Sequence, residues 1–299
     1  MKKLSKKIIA AVALGGMIFC GGMFYQPTSF AANTTVKVKV NVKQQGSINW
    51  SKGKDADITA VGISPKDNRG LAMSREAAIM AAQRNLVGIV QGMSINSETS
   101  MRDLIIQSDV VNRKISGMMR GAEIVEEEAA AEGGYYVKMR VPIYGVSGIA
   151  AAVVPEIKSD IPKAFAKVDK PSVSQETIQT VENANYTGLV VDTSGLGTEE
   201  TFSPVIYDTE GRAIYGIDNL NPDAVIENGM VSYSETVDDE IAKSRAGDNP
   251  LTVKAVEMRG GENSTNKVNA VVSVEDADKI LLANEQTQIL ENCAVVFEE

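Results

Sequence analysis

Beyond its first 31 residues the chain carries one cysteine, Cys293, and nowhere in its 299 residues is there a histidine. No intramolecular disulfide can staple such a fold, so its stability must come from burying apolar surface. Cys293 stands in the run Cys293-Ala294-Val295-Val296-Phe297, which reads as a small buried hydrophobe in a final strand rather than a reactive thiol. Without histidine, serine triads and the usual zinc sites are excluded.

The first 31 residues read as an export signal. Lys2, Lys3, Lys6 and Lys7 precede an uncharged apolar run from Ile8 to Tyr25, followed by Pro27 and Ser29-Phe30-Ala31-Ala32. Ser29 and Ala31 hold the small-residue places of a peptidase site, so the mature chain is expected to begin at Ala32. Two alternatives fit less well. The 18 uncharged residues could just span a bilayer, but four glycines weaken the run and Pro27 breaks it. Acylation at Cys20 needs a small residue before the cysteine, and Phe19 stands there. The expected location is therefore exported: periplasm or cell envelope, outer-membrane associated or extracellular, with no integral membrane span after processing.

Charge divides the remainder. Residues 32–154 hold 15 basic and 12 acidic side chains, whereas 155–299 hold 11 and 27, a step from +3 to −16. Between them, residues 155–185 contain Pro155, Pro162 and Pro171 with few large apolar residues, the composition of a surface linker with at most short helical turns. The expected organisation is a signal at 1–31, one module at 32–154, a linker at 155–185 and an acidic domain at 186–299. The acidic half disfavours nucleic acid and anionic lipid as partners.

In the first module Val36, Val38, Val40 and Val42 alternate with Lys37, Lys39, Asn41 and Lys43, a strand with one apolar and one basic face. That strand is expected to pair along a sheet edge, in its own chain or in a neighbouring copy. A second strand spans Ile58 to Ile63. Residues 71–91 show helical spacing, with Ile79, Ala82, Leu86, Ile89 and Val90 on one stripe. Met93 to Glu98 reads as extended, and Ser108 to Met119 as a helix with Val111, Ile115 and Met118 inward. Residues 122–129 and 135–143 form a hairpin around Gly133-Gly134. Strands combined with helices in this way predict an α+β fold.

Several ordered blocks here resemble a known family: Ser74-Arg75-Glu76-Ala77-Ala78, Gln83-Arg84-Asn85-Leu86, Ser97-Glu98-Thr99, Ser108-Asp109-Val110-Val111, Arg120-Gly121-Ala122-Glu123 and Tyr136-Val137-Lys138-Met139-Arg140-Val141-Pro142. Together they are similar to the bacterial Lpp lipoprotein-antigen family, named for a twenty-kilodalton outer-membrane antigen, and to the flagellar proteins FlgP and FlgT. The resemblance covers roughly Ile48 to Ile143. It implies a strand–helix–strand–strand module, no catalytic residues, and a cell-envelope role in motility or outer-membrane organisation, often with self-assembly. Phe19 before Cys20 departs from the family's lipid-attachment pattern.

The second half also reads as α+β, and Tyr186 to Asp192, Gly195-Leu196-Gly197 and Gly247 to Leu251 resemble a region that often follows that module. Leu189 to Val191 is a buried strand, and 205–207 pairs with 213–215 across the turn Asp208-Thr209-Glu210-Gly211. Leu251 to Met258, Val268 to Val274 and Ala294 to Phe297 are further strands, and Ser273 with Asp276 caps a helix over 275–285.

Candidate chemistry is sparse. Asp192-Thr193-Ser194-Gly195 misses the aspartic-protease triplet because Ser194 interrupts it, and Gly195-Leu196-Gly197 lacks the third glycine of a dinucleotide loop. Asp276 and Asp278 fail the calcium-loop spacing. Asp238-Asp239-Glu240 reads as a solvated helix start, and Glu126-Glu127-Glu128 alternates across a strand so that its carboxylates diverge. No catalytic, cofactor or metal residues are assigned. The expected function is that of a non-enzymatic exported envelope protein acting by self-assembly or through protein partners. The alternatives are a secreted surface antigen or adhesin, and an exported carboxylate-dependent hydrolase.

Overall fold

The computed structural model describes residues 45–130, 133–158, 161–168 and 170–299, which belong to one compact unit. The signal-like stretch and the expected strand Val36 to Lys43 lie outside the described residues. The fold is α+β, as the sequence predicts.

The first half forms an antiparallel sheet of β1 (Gly46–Asn49), β2 (Asp57–Ser64), β3 (Glu123–Ala129) and β4 (Tyr135–Pro142), in the order β1-β2-β4-β3. Alternation along β2 and β4 turns Ile58, Ala60 and Gly62, with Val137, Met139 and Val141, toward helix α1 (Leu71–Gly92). The helix approaches so closely that a Cβ on Gly62 would stand 2.0 Å from the Ala78 carbonyl oxygen and 2.3 Å from the Ala82 nitrogen. Small residues therefore occupy the centre of the contact. The buried stripe is Ser74, Ala78, Ala82, Leu86 and Val90, while the expected Ile79 and Ile89 are only half-buried at its margins. Two shorter helices follow, α2 (Met101–Gln107) and α3 (Asp109–Arg120), each with a serine cap: Ser100 in a reciprocal box with Asp103, and Ser108 accepting from the Val111 N–H. The expected extended segment 93–98 is instead a turn closed by a bridge between Ser94 and Ser100. Met119 turns fully inward where Met118 was expected, and Met118 is half-buried.

The second half has two further sheets. One is parallel, in the order β8 (Ser232–Ser234), β12 (Val295–Glu298), β5 (Gly188–Asp192), β9 (Pro250–Lys254). Covered on both sides, β5 is apolar throughout its centre, with Leu189, Val190 and Val191 fully buried. The other sheet runs β10 (Glu257–Arg259), β11 (Asn269–Val272), β6 (Ile206–Asp208), β7 (Ala213–Tyr215). The single strand expected over 251–258 is bent at Ala255-Val256. The Ala255 N–H still donates to Asp192 of the parallel sheet at 2.9 Å, and the next N–H, of Val256, donates to Val271 of the mixed sheet at 2.8 Å. One strand thus serves both sheets. Helices α6 (Pro222–Asn228), α7 (Glu240–Ala246) and α8 (Val274–Thr287) surround them, and Ser273 caps α8 as expected.

The two halves share an interior. Trp50, in the short 3-10 segment after β1, meets Tyr233 edge-on at 6.3 Å, and Tyr233 meets Phe297 at 5.8 Å. Tyr144 lies 6.0 Å from Phe202. The Phe202 and Ser203 N–H groups donate to the carbonyls of Ser94 and Ile95 at 3.1 and 2.8 Å, adding backbone hydrogen bonds to the seam. The described residues of the stretch expected as a linker are tied to the fold at several points rather than free. Helix α4 (Ile149–Ile157) runs through Pro155 with Val153 and Val154 buried, Lys163 bonds Asp218, and Ser172 donates to Asp278. Helix α5 (Gln175–Asn183) then buries Val181. Within it Lys158 and Val181 are buried, and the apolar residues on either side of it bury into one core.

Trp50 is the chain's sole tryptophan and is 5% exposed at this seam. Its fluorescence and the far-UV circular dichroism are expected to report one coincident unfolding transition; two separated transitions would refute the shared core. Gly62→Val is expected to lower stability by about 3 kcal/mol or more, because it drives backbone against backbone under α1. Chemical denaturation measures it.

Candidate functional site

The face of the first sheet turned away from α1 is largely made of exposed and half-buried residues. Its rows follow from the register: Ser47, Thr59, Arg140 and Glu123; then Val61, Lys138 and Glu126; then Ile63, Tyr136 and Glu128. The cations are held by neighbouring acids, Arg140 to Glu123 at 2.6 Å and Lys138 to Glu126 at 3.1 Å. The Glu123 hydrogen bond raises the Arg140 pKa, and burial followed by the Glu126 charge raises that of Tyr136. Ile63 is half exposed, and Val125 stands out at an irregularity in β3. The surface is thus apolar in patches and laced with exposed ion pairs, each worth less than about 1 kcal/mol. It offers complementarity to a partner rather than a reaction centre. β3 closes one side of the sheet, and every residue of it except Ile124 is exposed.

Two clefts lie at the seam. One of about 390 Å³ is walled by Lys52, Lys54, Glu240, Ile241, Ser244 and Arg245. Lys52 is already bound to the buried Asp57 at 2.7 Å. Arg245 spends its donors on the Ser232 hydroxyl and on the carbonyls of Asn228, Gly229, Val231 and Cys293. The second cleft, about 330 Å³, is walled mainly by polar residues, among them Ser94, Asn96, Glu98, Thr99, Asp103 and Asn263. Asn96 there accepts the N–H groups of Glu98 and Thr99, so it shapes its own loop. In the second cleft the Ser100 hydroxyl stands 2.6 Å from the Asp103 carboxylate, but that contact is part of the reciprocal cap of α2, in which each side chain also accepts the other residue's backbone N–H.

The sequence candidates resolve into structural roles. Asp192 accepts the Ser194 N–H at 2.9 Å and also its hydroxyl, bonds that hold its carboxyl below the usual range. Gly195 and Gly197 take positive φ in a loop, and Lys267 donates to the Leu196 carbonyl at 2.9 Å. Asp276 belongs to the α8 cap with Ser273 and Lys279. Asp239 accepts from Ser234 ahead of α7, and Asp238 pairs with Lys243. Glu126 and Glu127 diverge, the first to Lys138 and the second to Arg75 of α1 at 2.6 Å. Cys293 is fully buried just ahead of β12 with φ 54, and burial pushes its thiol up, out of the reactive range.

Two arrangements escaped the sequence reading. Arg245 is the first. The second is a buried ionic group in which Arg212 bridges Asp208 at 2.9 Å and Asp278 at 2.8 Å. Burial pushes Asp208 up, but hydrogen bonds from the Arg212 backbone and guanidinium and from the Glu210 N–H outweigh it, and its pKa falls below the ordinary value. The only local signal was the Asp208–Arg212 spacing across a turn; Asp278 lies 66 residues away from Arg212.

Residues 188–297 match the family model of the second domain of the Treponema pallidum protein Tp0624. That match contains the bent strand and both strands that pair with it, β5 and β11, together with α7 and α8. No curated protein matches the chain. Among the described residues, no helix is long and apolar enough to cross a membrane, and no group of three or more acidic or cysteine side chains is arranged to hold a metal.

Near the C-terminus, partial burial and then the charge of Glu299 raise Glu200 to about 7, while burial and Glu235 raise Glu299. A carboxyl raised in the folded state favours folding while protonated. Its contribution is complete below the ordinary glutamate range and is lost as pH climbs through about 7. Asp208 acts oppositely, losing its contribution as pH falls through its depressed pKa. Thermal stability is therefore expected to decline between about pH 5 and 8, and Glu200→Gln is expected to flatten that decline. An unchanged slope in the variant would assign the decline to other groups.

Proposed function

We propose that this chain is a non-enzymatic exported protein of the cell envelope, acting by self-assembly or by binding protein partners, in flagellar or outer-membrane organisation. The observation that carries the reading is the uncovered face and edge of the first sheet. It is an extended surface of exposed ion pairs and apolar patches on a rigid scaffold, beside clefts whose polar groups largely serve the fold. The export pattern of residues 1–31 and the resemblance of Ile48 to Ile143 to the lipoprotein-antigen family support the location. The match of 188–297 to a Treponema pallidum domain adds a relative for the second half, with no activity in its description.

A second reading rests on Glu200, whose pKa of about 7 is that of an acid–base group. A carboxylate-dependent hydrolase would work there. Yet Glu200 stands on the surface with its carboxyl only partly desolvated, and it belongs to the walls of neither cleft.

Fractionation of cells producing the native chain, followed by cross-linking and N-terminal sequencing, tests the proposal. The expected result is an unlipidated mature protein beginning at Ala32, found in the envelope and cross-linked to itself or to an envelope protein. A cytoplasmic protein with an intact N-terminus, or a hydrolytic activity abolished by Glu200→Gln, would overturn it.

A further inference from the structure

We propose that the β3 edge of the first sheet receives the N-terminal valine–lysine segment, Val36 to Lys43, of a second copy of this chain, joining copies head to tail through a continuous sheet. The inference rests on the self-assembly reading above and names its contact.

Among the described residues β3 pairs only with β4, which leaves its outer backbone edge open over seven residues. Edges of that length are usually blunted by charged side chains, proline, a bulge or a cover, and here the blunting is acidic, with a register irregularity between Ile124 and Glu126. β3 has neither lysine nor proline; of its four glutamates Glu123, Glu126 and Glu127 already pair with Arg140, Lys138 and Arg75, and Glu128 is exposed with no ion pair among the described residues. Such an edge repels a second β3, because like charges would stand directly opposite. It favours a strand that brings cations. The segment from Val36 to Lys43 has lysines at 37, 39 and 43 on one face and four valines on the other. With the lysines on the open face they stand beside Glu126 and Glu128, and the valines fall on the α1 side beside Ile124 and Ala129.

Reach decides which copy supplies the strand. β1 is the opposite edge of the sheet, and the Gln45 carbonyl just before it still accepts from Val61 of β2. A strand added outside β3 lies four strand spacings from β1, about 19 Å. Lys43 is three residues from Gly46, a reach of about 10 Å. The eight-residue segment therefore cannot lie along β3 of its own chain, but it can along that of a neighbour. Each copy then donates at one edge and accepts at the other, a heterologous contact that builds rings or filaments.

The test is sedimentation velocity on the chain beginning at Ala32, over a wide range of concentration, with two charge-reversed variants. One carries Lys37→Glu, Lys39→Glu and Lys43→Glu, all outside the described fold; the other carries Glu123→Lys, Glu126→Lys and Glu128→Lys. Wild type is expected to assemble, more weakly at high salt. Each variant alone is expected to assemble about tenfold more weakly or worse, since it opposes like charges. Mixed together, they are expected to regain assembly, because each then offers the other an opposite charge. Wild-type assembly that both variants retain unchanged would overturn this contact and leave the self-assembly reading standing. A wild type monomeric at every concentration would overturn the contact and self-assembly together, leaving a partner of another kind to the cross-linking experiment.

Discussion

The interior of the second half converges on one guanidinium. Arg245 projects from α7 and donates to the Cys293 carbonyl at 2.5 Å, to the Ser232 hydroxyl at 2.5 Å, and to the carbonyls of Asn228, Gly229 and Val231. Those carbonyls are orphans of the local structure, lying at the end of α6, in the link to β8 and just ahead of β12. Left unpaired, each would cost about 1–3 kcal/mol. A planar fork with five donors can satisfy them together, and a lysine ammonium with three cannot. By fixing that link, Arg245 also fixes the place where the first half enters. Gly229 sits there with φ 71, and a Cβ on it would fall 2.3 Å from the Tyr144 ring. The ring of the first half thus fills the space that glycine leaves in the second.

Much of this was legible in the sequence, and the boundary is instructive. Local periodicity placed α1, α3, the β3–β4 hairpin, β5, the β6–β7 turn and α8 close to their observed ends, because each is fixed by near neighbours in the chain. Three kinds of feature were not legible. Short elements such as β8 and α2 bury too few residues to show a period. The bend at Ala255 depends on two sheets competing for one strand, which apolar composition alone presents as a single run. The seam depends on contacts between residues such as Trp50 and Tyr233, nearly two hundred positions apart. The site candidates divide in the same way. Asp192, Asp276 and the Glu126 run have local roles that spacing foretold, whereas Asp278 and Arg245 act through distant partners and Arg212 joins a near one, Asp208, to a distant one, Asp278.

The charge step illustrates how composition can be right about surfaces and silent about interiors. The first half carries +3 and the second −16, a contrast that reads most simply as two bodies. Yet every ion pair among the described residues lies within one half: Lys52–Asp57 and the β3–β4 pairs in the first, the Arg212 group and Lys163–Asp218 in the second. The seam between the halves is made instead of aromatic rings, backbone hydrogen bonds and a few side-chain hydrogen bonds, such as Ser94 with Thr201 and the Asn263 N–H to Glu98. An interface built this way consumes almost none of either half's charge. The opposing fields therefore remain at the surface, where they can orient an approaching molecule over about one Debye length, some 8 Å at physiological salt. With no disulfide among the described residues, the fold has placed its apolar surface in the seam and kept most of its charges for what lies outside.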